Sequence, residues 1–370
     1  MAQATTPLTE SRDKHARLQA LLARHRLQAL LLQRVSSFAW ATGGAASYVN
    51  TATTLGASAL LLTPSGRHLI TDNIEATRLA QEEELAAQGW EFRVTPWYAT
   101  RTVVAELTRG LTLAADSPYP GAVDVSDEIA RLRASLTLEE GERFRVVSRL
   151  CAEAMGEAVS AVRPGMTEYQ IAGRLAHAAQ SRGVQPIVNL IATDARVLNF
   201  RHPLPTDKTL ERYAMLVLCG RKRGLVCSMT RLIHFGRLPD DLRRTAEAVA
   251  RVDATLIDAT RPGRPLGEVF QRAMDVYAET GFADEWQRHH QGGPAGYEPR
   301  EFVATPDSAD SVTAGQVYAW NPSITGAKSE DTILVGTDES EILTAMPDWP
   351  ALPETMNGRT VLRPAILEIT

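Results

Sequence analysis

The sequence predicts an α/β domain over residues 1–136 followed by an α+β domain over residues 137–370. Three observations carry this. A chain of 370 residues is long enough to bury two cores. Up to "SDEIARLRAS" (126–135), helical and strand-like patterns take turns. Beyond it, two long helical patterns precede several apolar strand-like runs, the order expected of an α+β arrangement with a mostly antiparallel sheet.

In the first domain, "SRDKHARLQALLARHRL" has helical spacing with Ser11 as its cap. "ALLLQRVSSFAWATG" and "ASALLLTPSGRHLITD" read as strands, the second as a pair joined by the Pro64-Ser65-Gly66 turn. "NIEATRLAQEEELAAQG" reads as a helix closed by Gly89, and "WEFRVTPWY" as a further strand. In the second domain, a helix starts after Thr137, whose hydroxyl with Glu140 fits a capping box. Pro164-Gly165 breaks the chain and Thr167 caps the next helix. "AMLVLCG" and "GLVCSMTRLIHFG" are apolar strands around the basic turn Arg221-Lys222-Arg223, which reads as a solvated turn. Helices over 240–260 and 266–280 follow, then strands "QVYAWNPSI" and "SEDTILVG". Phe38, Trp40 and Tyr48 read as core packing.

Apolar residues make up 44% and charged residues 22%, the ordinary balance of a globular protein. A net charge of −5 gives no field favouring nucleic acid or an anionic membrane, so neither is an expected partner. No uncharged apolar run reaches the ~20 residues that span a bilayer. "MAQATTPLTESRDKHARLQ" lacks the apolar core of a signal peptide, so a cytoplasmic location is expected. Cys151, Cys219 and Cys227 have no CxxC spacing and read as reduced packing residues.

Five motifs stand in order: "VRPGMTE", "GLVCSMTR", "HHQGGPAGYEPRE", "AGQVYAWNPSI" and "KSEDTILV". Together they resemble the M24 peptidases (methionine aminopeptidase, aminopeptidase P, prolidase and creatinase) from about Leu138 to Leu343. "SSFAWATGG" and "LLTPSGRHLITD" resemble the creatinase/prolidase amino-terminal domain. The resemblance implies a pita-bread second domain, a small-molecule or dipeptide substrate and a homodimer.

The family holds two divalent metals with two Asp, one His and two Glu. Carried onto this chain, these positions fall on Val217, Ser228, Gly293, Asn321 and Glu330. One ligand in five survives. Valine and glycine offer no donor atom, and a hydroxyl or amide substitutes poorly for a carboxylate. No metal and no other cofactor is therefore expected, and the adjacent His289 and His290 are not read as a metal pair. His202, in "NFRHPLP", falls near the family's substrate-side histidine, with a spacing to the strand about two residues short. In creatinase, which also lacks the metals, that histidine is the acid–base residue. His289 again takes a substrate-side position, and His290 reads as structural. Arg300 stands where peptidases often carry another histidine. Lys328 and Glu330, two apart on a strand, should share one face.

These residues suggest metal-independent hydrolysis of a C–N bond in a small amino-acid derivative. His202, Glu330 and His289 are the catalytic candidates. Arg300, Arg231, Lys328, Asn321 and Ser228 are the substrate-binding candidates, Arg300 through its planar fork. Several residues keep a plainer reading. Glu330 could pair with Lys328 as a buried vestige, Arg300 could bridge Glu298 or Glu301, and Arg231 could serve the sheet. Two other functions stay open: an inactive relative that binds a peptide or metabolite, and a proline dipeptidase with relocated metal ligands.

Overall fold

The computed structural model describes residues 6–99 and 102–370; residues 1–5 of the amino-terminal stretch lie outside it. The chain divides into two compact units, one formed by residues up to Glu139 with Arg223–Leu225, the other by Glu140–Lys222 and Val226–Thr370.

In the first unit, helix α1 (Thr6–His25), strand β1 (Ala29–Arg34), helix α2 (Val35–Thr42) and the hairpin β2 (Leu55–Thr63) and β3 (Gly66–Asp72) come in succession. Helix α3 (Ala76–Gln81), β4 (Glu91–Thr95), α4 (Val103–Leu107), β5 (Leu113–Ala115), β6 (Val123–Asp124) and α5 (Ser126–Ala134) complete it. The strands form one mixed sheet in the order β4-β3-β2-β1-β5-β6. Three sequence expectations are corrected here. Ser11 does not cap α1 but lies inside it, since the helix already runs from Thr6. "VSSFAWAT" is not a continuation of β1 but a helix, buried along its whole length and ended by Gly43 in the left-handed conformation (φ 73°). A helix buried all round has no polar stripe, so its pattern cannot be told from that of a buried strand. The third helix stops at Gln81 rather than Gly89, with Glu84, the last of three consecutive acidic residues, taking a left-handed φ of 55°.

In the second unit, α6 (Leu138–Ala161), α7 (Glu168–Gln180), β7 (Gln185–Thr193), α8 (Ala195–Asn199), β8 (Tyr213–Lys222), β9 (Leu225–Phe235), α9 (Asp240–Ala259) and α10 (Leu266–Glu279) come first. They are followed by β10 (Gly292–Ala295), β11 (Val317–Trp320), β12 (Ser323–Ile324), β13 (Ala327–Lys328), β14 (Asp331–Val335) and β15 (Ser340–Ile342). Strands β16 (Ala351–Met356), β17 (Arg359–Pro364) and β18 (Leu367–Ile369) close the chain. Two four-stranded sheets result, β18-β9-β8-β7 and β10-β11-β14-β15, with hairpins β12-β13 and β16-β17 beside them. The bridge Thr230–Glu330 links β9 to the residue before β14. Thr167 does cap α7, in a complete capping box with Gln170. Glu140 is fully buried and accepts from Tyr297 Oη at 2.6 Å. Helices α9 and α10 pack their apolar faces with residues of both sheets in one core that includes Val252, Leu256, Phe270, Val217, Tyr318 and Trp320. All three cysteines are free and buried. No helix among the described residues is long and apolar enough to cross a membrane.

Candidate functional site

The site is assembled from β9, the residues around β10, the β12-β13 hairpin and the loop after α8. Strand alternation decides what faces it. On β9, Ser228 and Thr230 share one face, and both meet partners of the site. Ser228 Oγ accepts from Arg300 Nη1 at 3.2 Å, and Thr230 Oγ1 donates to Glu330 Oε2 at 2.5 Å. Arg231, one residue on, turns to the opposite face. It pairs with Asp331 at 2.9 Å, donates to the Thr344 carbonyl and lies over the Trp349 ring.

Lys328 ends β13 and Glu330 precedes β14, so they do not lie on one strand as expected, yet they are ion-paired at 2.9 Å, both almost fully buried. Arg300 does not bridge Glu298 or Glu301; its Nη2 reaches the other oxygen of Glu330 at 3.0 Å. Burial pushes the Glu330 carboxyl up, but Lys328 and Arg300 outweigh it and, with the Thr230 hydroxyl, hold it at about 2. Glu330 is therefore an anion with both oxygens engaged.

Above this group stand three imidazoles. His202 and His289 face each other with their Nε2 atoms 3.1 Å apart, one donating to the other. The rings of His289 and His290 lie 4.6 Å apart, and those of His202 and His290 5.6 Å. His289 is further fixed by Ser323 Oγ, 3.3 Å from its Nδ1. Burial is the largest reason that all three are lowered, aided by the positive charge of Lys328 in each and of Arg300 at His202 and His290: His289 falls to about 2 and His290 to about 4. All three are neutral at neutral pH.

Neighbouring contacts place these rings. Arg201, next to His202, donates to Glu285 at 2.6 Å and to Thr325 Oγ1 at 3.1 Å. Glu285 also accepts the Thr325 backbone N–H at 2.9 Å. One carboxylate thus fastens the His202 loop to the β12-β13 hairpin. Gln291 receives a hydrogen bond from Tyr277 Oη and donates to the carbonyls of Trp286 and His289. Asn321 is buried, its backbone N–H bonded to Gln291 and its side-chain oxygen without a hydrogen-bond partner.

The structure brings His202, His289, Lys328, Glu330, Arg300, Ser228 and the neighbouring His290 into one electrostatic group, and places Arg231 outside it. It also amends the position carried onto Val217. Two carboxylates that share metals must converge, yet Val217 packs in the apolar core while Cys219 Sγ lies 3.2 Å from Ser228 Oγ. The β8 position facing Ser228 is Cys219. The two-residue shortfall between His202 and the strand vanishes when counted to Cys219, and that was the signal in the sequence. Burial raises the Cys219 thiol to about 11.

The residues present do not fit the paired-metal centre of the resembling family. A thiol, a hydroxyl, a glycine and an amide stand at four positions. The one carboxylate is already neutralised by two side-chain cations. Gly293 holds φ +157°, and a Cβ there would come within 2.5 Å of the Phe302 carbonyl oxygen, so the backbone has closed over the space a histidine would need.

Comparison with known proteins agrees with this reading of the fold. Residues 142–337 match the metallopeptidase family M24, and residues 14–118 match the creatinase/prolidase N-terminal domain. The chain belongs to the M24 family. Its second unit has the pita-bread fold, preceded by a creatinase/prolidase-type domain. This M24 chain is 26% identical over 234 residues to an uncharacterized peptidase of Staphylococcus aureus strain MW2, an alignment covering 60% of the chain and 65% of that protein's length. Among solved structures, the prolidase from Pyrococcus horikoshii OT3 superposes with a TM-score of 0.78 at 19% identity, covering 90% of this chain and 98% of that one. The Xaa-Pro dipeptidase from Bacillus anthracis gives 0.78 at 18%, covering 97% and 100%. The N-terminal domain of a FACT complex subunit from Cicer arietinum gives 0.72 at 12%, covering 91% and 96%. At these identities the structural likenesses establish the fold.

Proposed function

We propose that this M24 chain hydrolyses a C–N bond in a small amino-acid derivative or dipeptide without a paired-metal centre, using His202 as the acid–base group. The observation that carries the reading is the His202–His289 contact at 3.1 Å beside the Lys328–Glu330–Arg300 group. A neutral imidazole held by a second one keeps a lone pair ready to take a proton. Lys328 and Arg300 suit a substrate carboxylate, with Arg300 offering its fork. Asn321 offers a buried acceptor to a substrate N–H, and the Ser228 hydroxyl adds a further polar contact. Glu330 positions the two cations and holds the charge of the pocket near balance. The chain acts in the cytoplasm, and as a homodimer, a state that light scattering on the purified protein checks.

The experiment is a hydrolysis screen of Xaa-Pro dipeptides, creatine-like amidines and cyclic amidines, with and without chelator. Turnover that survives the chelator and falls roughly 100-fold or more in His202→Ala supports the reading. Activity that needs added metal, or a His202→Ala enzyme of undiminished rate, removes it.

A second reading has its own observation. Both oxygens of Glu330 are occupied by salt bridges, which leaves a group of fixed donors without a free carboxylate. Such a group suits binding of an anionic peptide or metabolite without turnover. Ligand-induced stabilisation with no product in the same screen identifies this case.

A further inference from the structure

We infer that His202, His289 and His290 form a site for a single divalent transition-metal ion, separate from the five positions of the family's paired-metal centre. None of the three is among those five positions, and each offers one ligand nitrogen, all within 4.8 Å of one another. Zinc binds imidazole nitrogen at about 2.0–2.1 Å, so tetrahedral ligands stand about 3.3 Å apart. The His202 and His289 Nε2 atoms, at 3.1 Å, are already near that spacing. The third nitrogen closes the set by a side-chain turn of His202, which sits on a loop at the surface, whereas His289 is buried.

Two independent features mark the trio as more than packing. Ser323 Oγ bonds Nδ1 of His289 and so presents Nε2 to the centre, the outer-shell arrangement that orients metal-binding histidines. His290 Nδ1 is buried with no hydrogen-bond partner, so this ring is not held there by its polar edge.

The surrounding charges select the ion. Lys328 and Arg300 oppose an ion held by charge alone, which disfavours magnesium and calcium with their all-oxygen shells. Three neutral imidazoles suit zinc, cobalt, nickel or copper, which bind nitrogen strongly. Three protein ligands leave a fourth position open, and the two nearby cations favour an anion in it. Because the ion takes the lone pair of His202, its binding blocks the acid–base role proposed above. The site itself does not rest on that role.

The test uses untagged protein stripped with chelator and dialysed. Zinc is titrated against a chromophoric chelator, and cobalt is followed by its visible absorption. The expected result is one ion per chain with a tetrahedral cobalt spectrum. His202→Ala, His289→Ala and His290→Ala should each weaken binding by about 100-fold or more, and Ser323→Ala by about 10-fold. Metal-free melting curves of each variant, with His289→Asn as a milder substitute, show that the loss is not unfolding. Glu330→Gln should keep the stoichiometry at one. Equal binding by wild type and His289→Ala overturns the site, as do two ions per chain lost together in Glu330→Gln. A protein that binds one zinc and hydrolyses nothing keeps this site and removes the hydrolytic reading; one that hydrolyses and binds no metal does the reverse.

Discussion

Glu330 and Asp331 are consecutive in the chain, yet each is locked into a different ion-pair network. Glu330 pairs with Lys328 and Arg300 on the site face. Asp331 pairs with Arg231 and Arg363 on the other, and Arg363 goes on to Asp253. Chain alternation at the start of β14 thus separates charges on the candidate-site face from charges that hold the sheet together.

The structural network should be the more costly to break. Arg363 is fully buried and paired with two carboxylates at 2.6 and 2.7 Å. Arg363→Met leaves both without it, and a loss of about 3–5 kcal/mol is expected. Urea unfolding of wild type and variant measures it; a loss below about 1 kcal/mol would show that the carboxylates find other partners.

Lys328→Met should cost less, roughly 2 kcal/mol, because Arg300 and Thr230 still hold Glu330. The triple change Lys328→Met, Arg300→Met and Glu330→Leu should recover part of that loss, since Arg300 also pairs with Glu330 and only then does no unpaired buried charge remain. A triple variant less stable than the single one by denaturant unfolding would contradict this.

Restoring the family's histidine should not restore its metals. Gly293→His places a Cβ within 2.5 Å of the Phe302 carbonyl and 3.0 Å of the Ala304 nitrogen, at a φ that side chains rarely adopt. Destabilisation of roughly 2 kcal/mol or more is expected, with no gain of manganese or cobalt pairs by elemental analysis. A stable variant carrying two ions per chain would show that the backbone yields.

Stability should fall on acidification. His289 and His290 are lowered from an ordinary 6.5 to about 2 and about 4, and Glu330 to about 2 from 4.5. For each, the unfolded chain binds a proton at a pH where the folded one does not, so stability rises with pH. The histidine contribution is complete above about pH 6.5 and shrinks as pH falls toward their folded values, and that of Glu330 shrinks below about pH 4.5. Melting temperatures across this range check the sign, and the slope between pH 6.5 and 4.5 should flatten in His289→Asn.

Much of this was legible in the sequence because it depends on short-range periodicity. Lys328 and Glu330 were expected together and are ion-paired, though across the break between β13 and β14 rather than along one strand. Strand alternation, applied to Thr230 and Arg231, would have turned Arg231 away. Order and spacing of five motifs gave the M24 fold. What stayed hidden depends on chain segments that meet only in three dimensions. His202 and His289 are 87 positions apart and touch because Glu285 fastens their loops. Helix α2 carries no polar stripe, and Cys219 was concealed by a hairpin two residues shorter than assumed.

The tether through Glu285 also has a cooperative meaning. Arg201, Thr325 and the carboxylate between them knot the chain at the residue beside His202, whose ring is itself bonded to His289. One acidic side chain thus anchors two remote segments, and losing it would loosen both together.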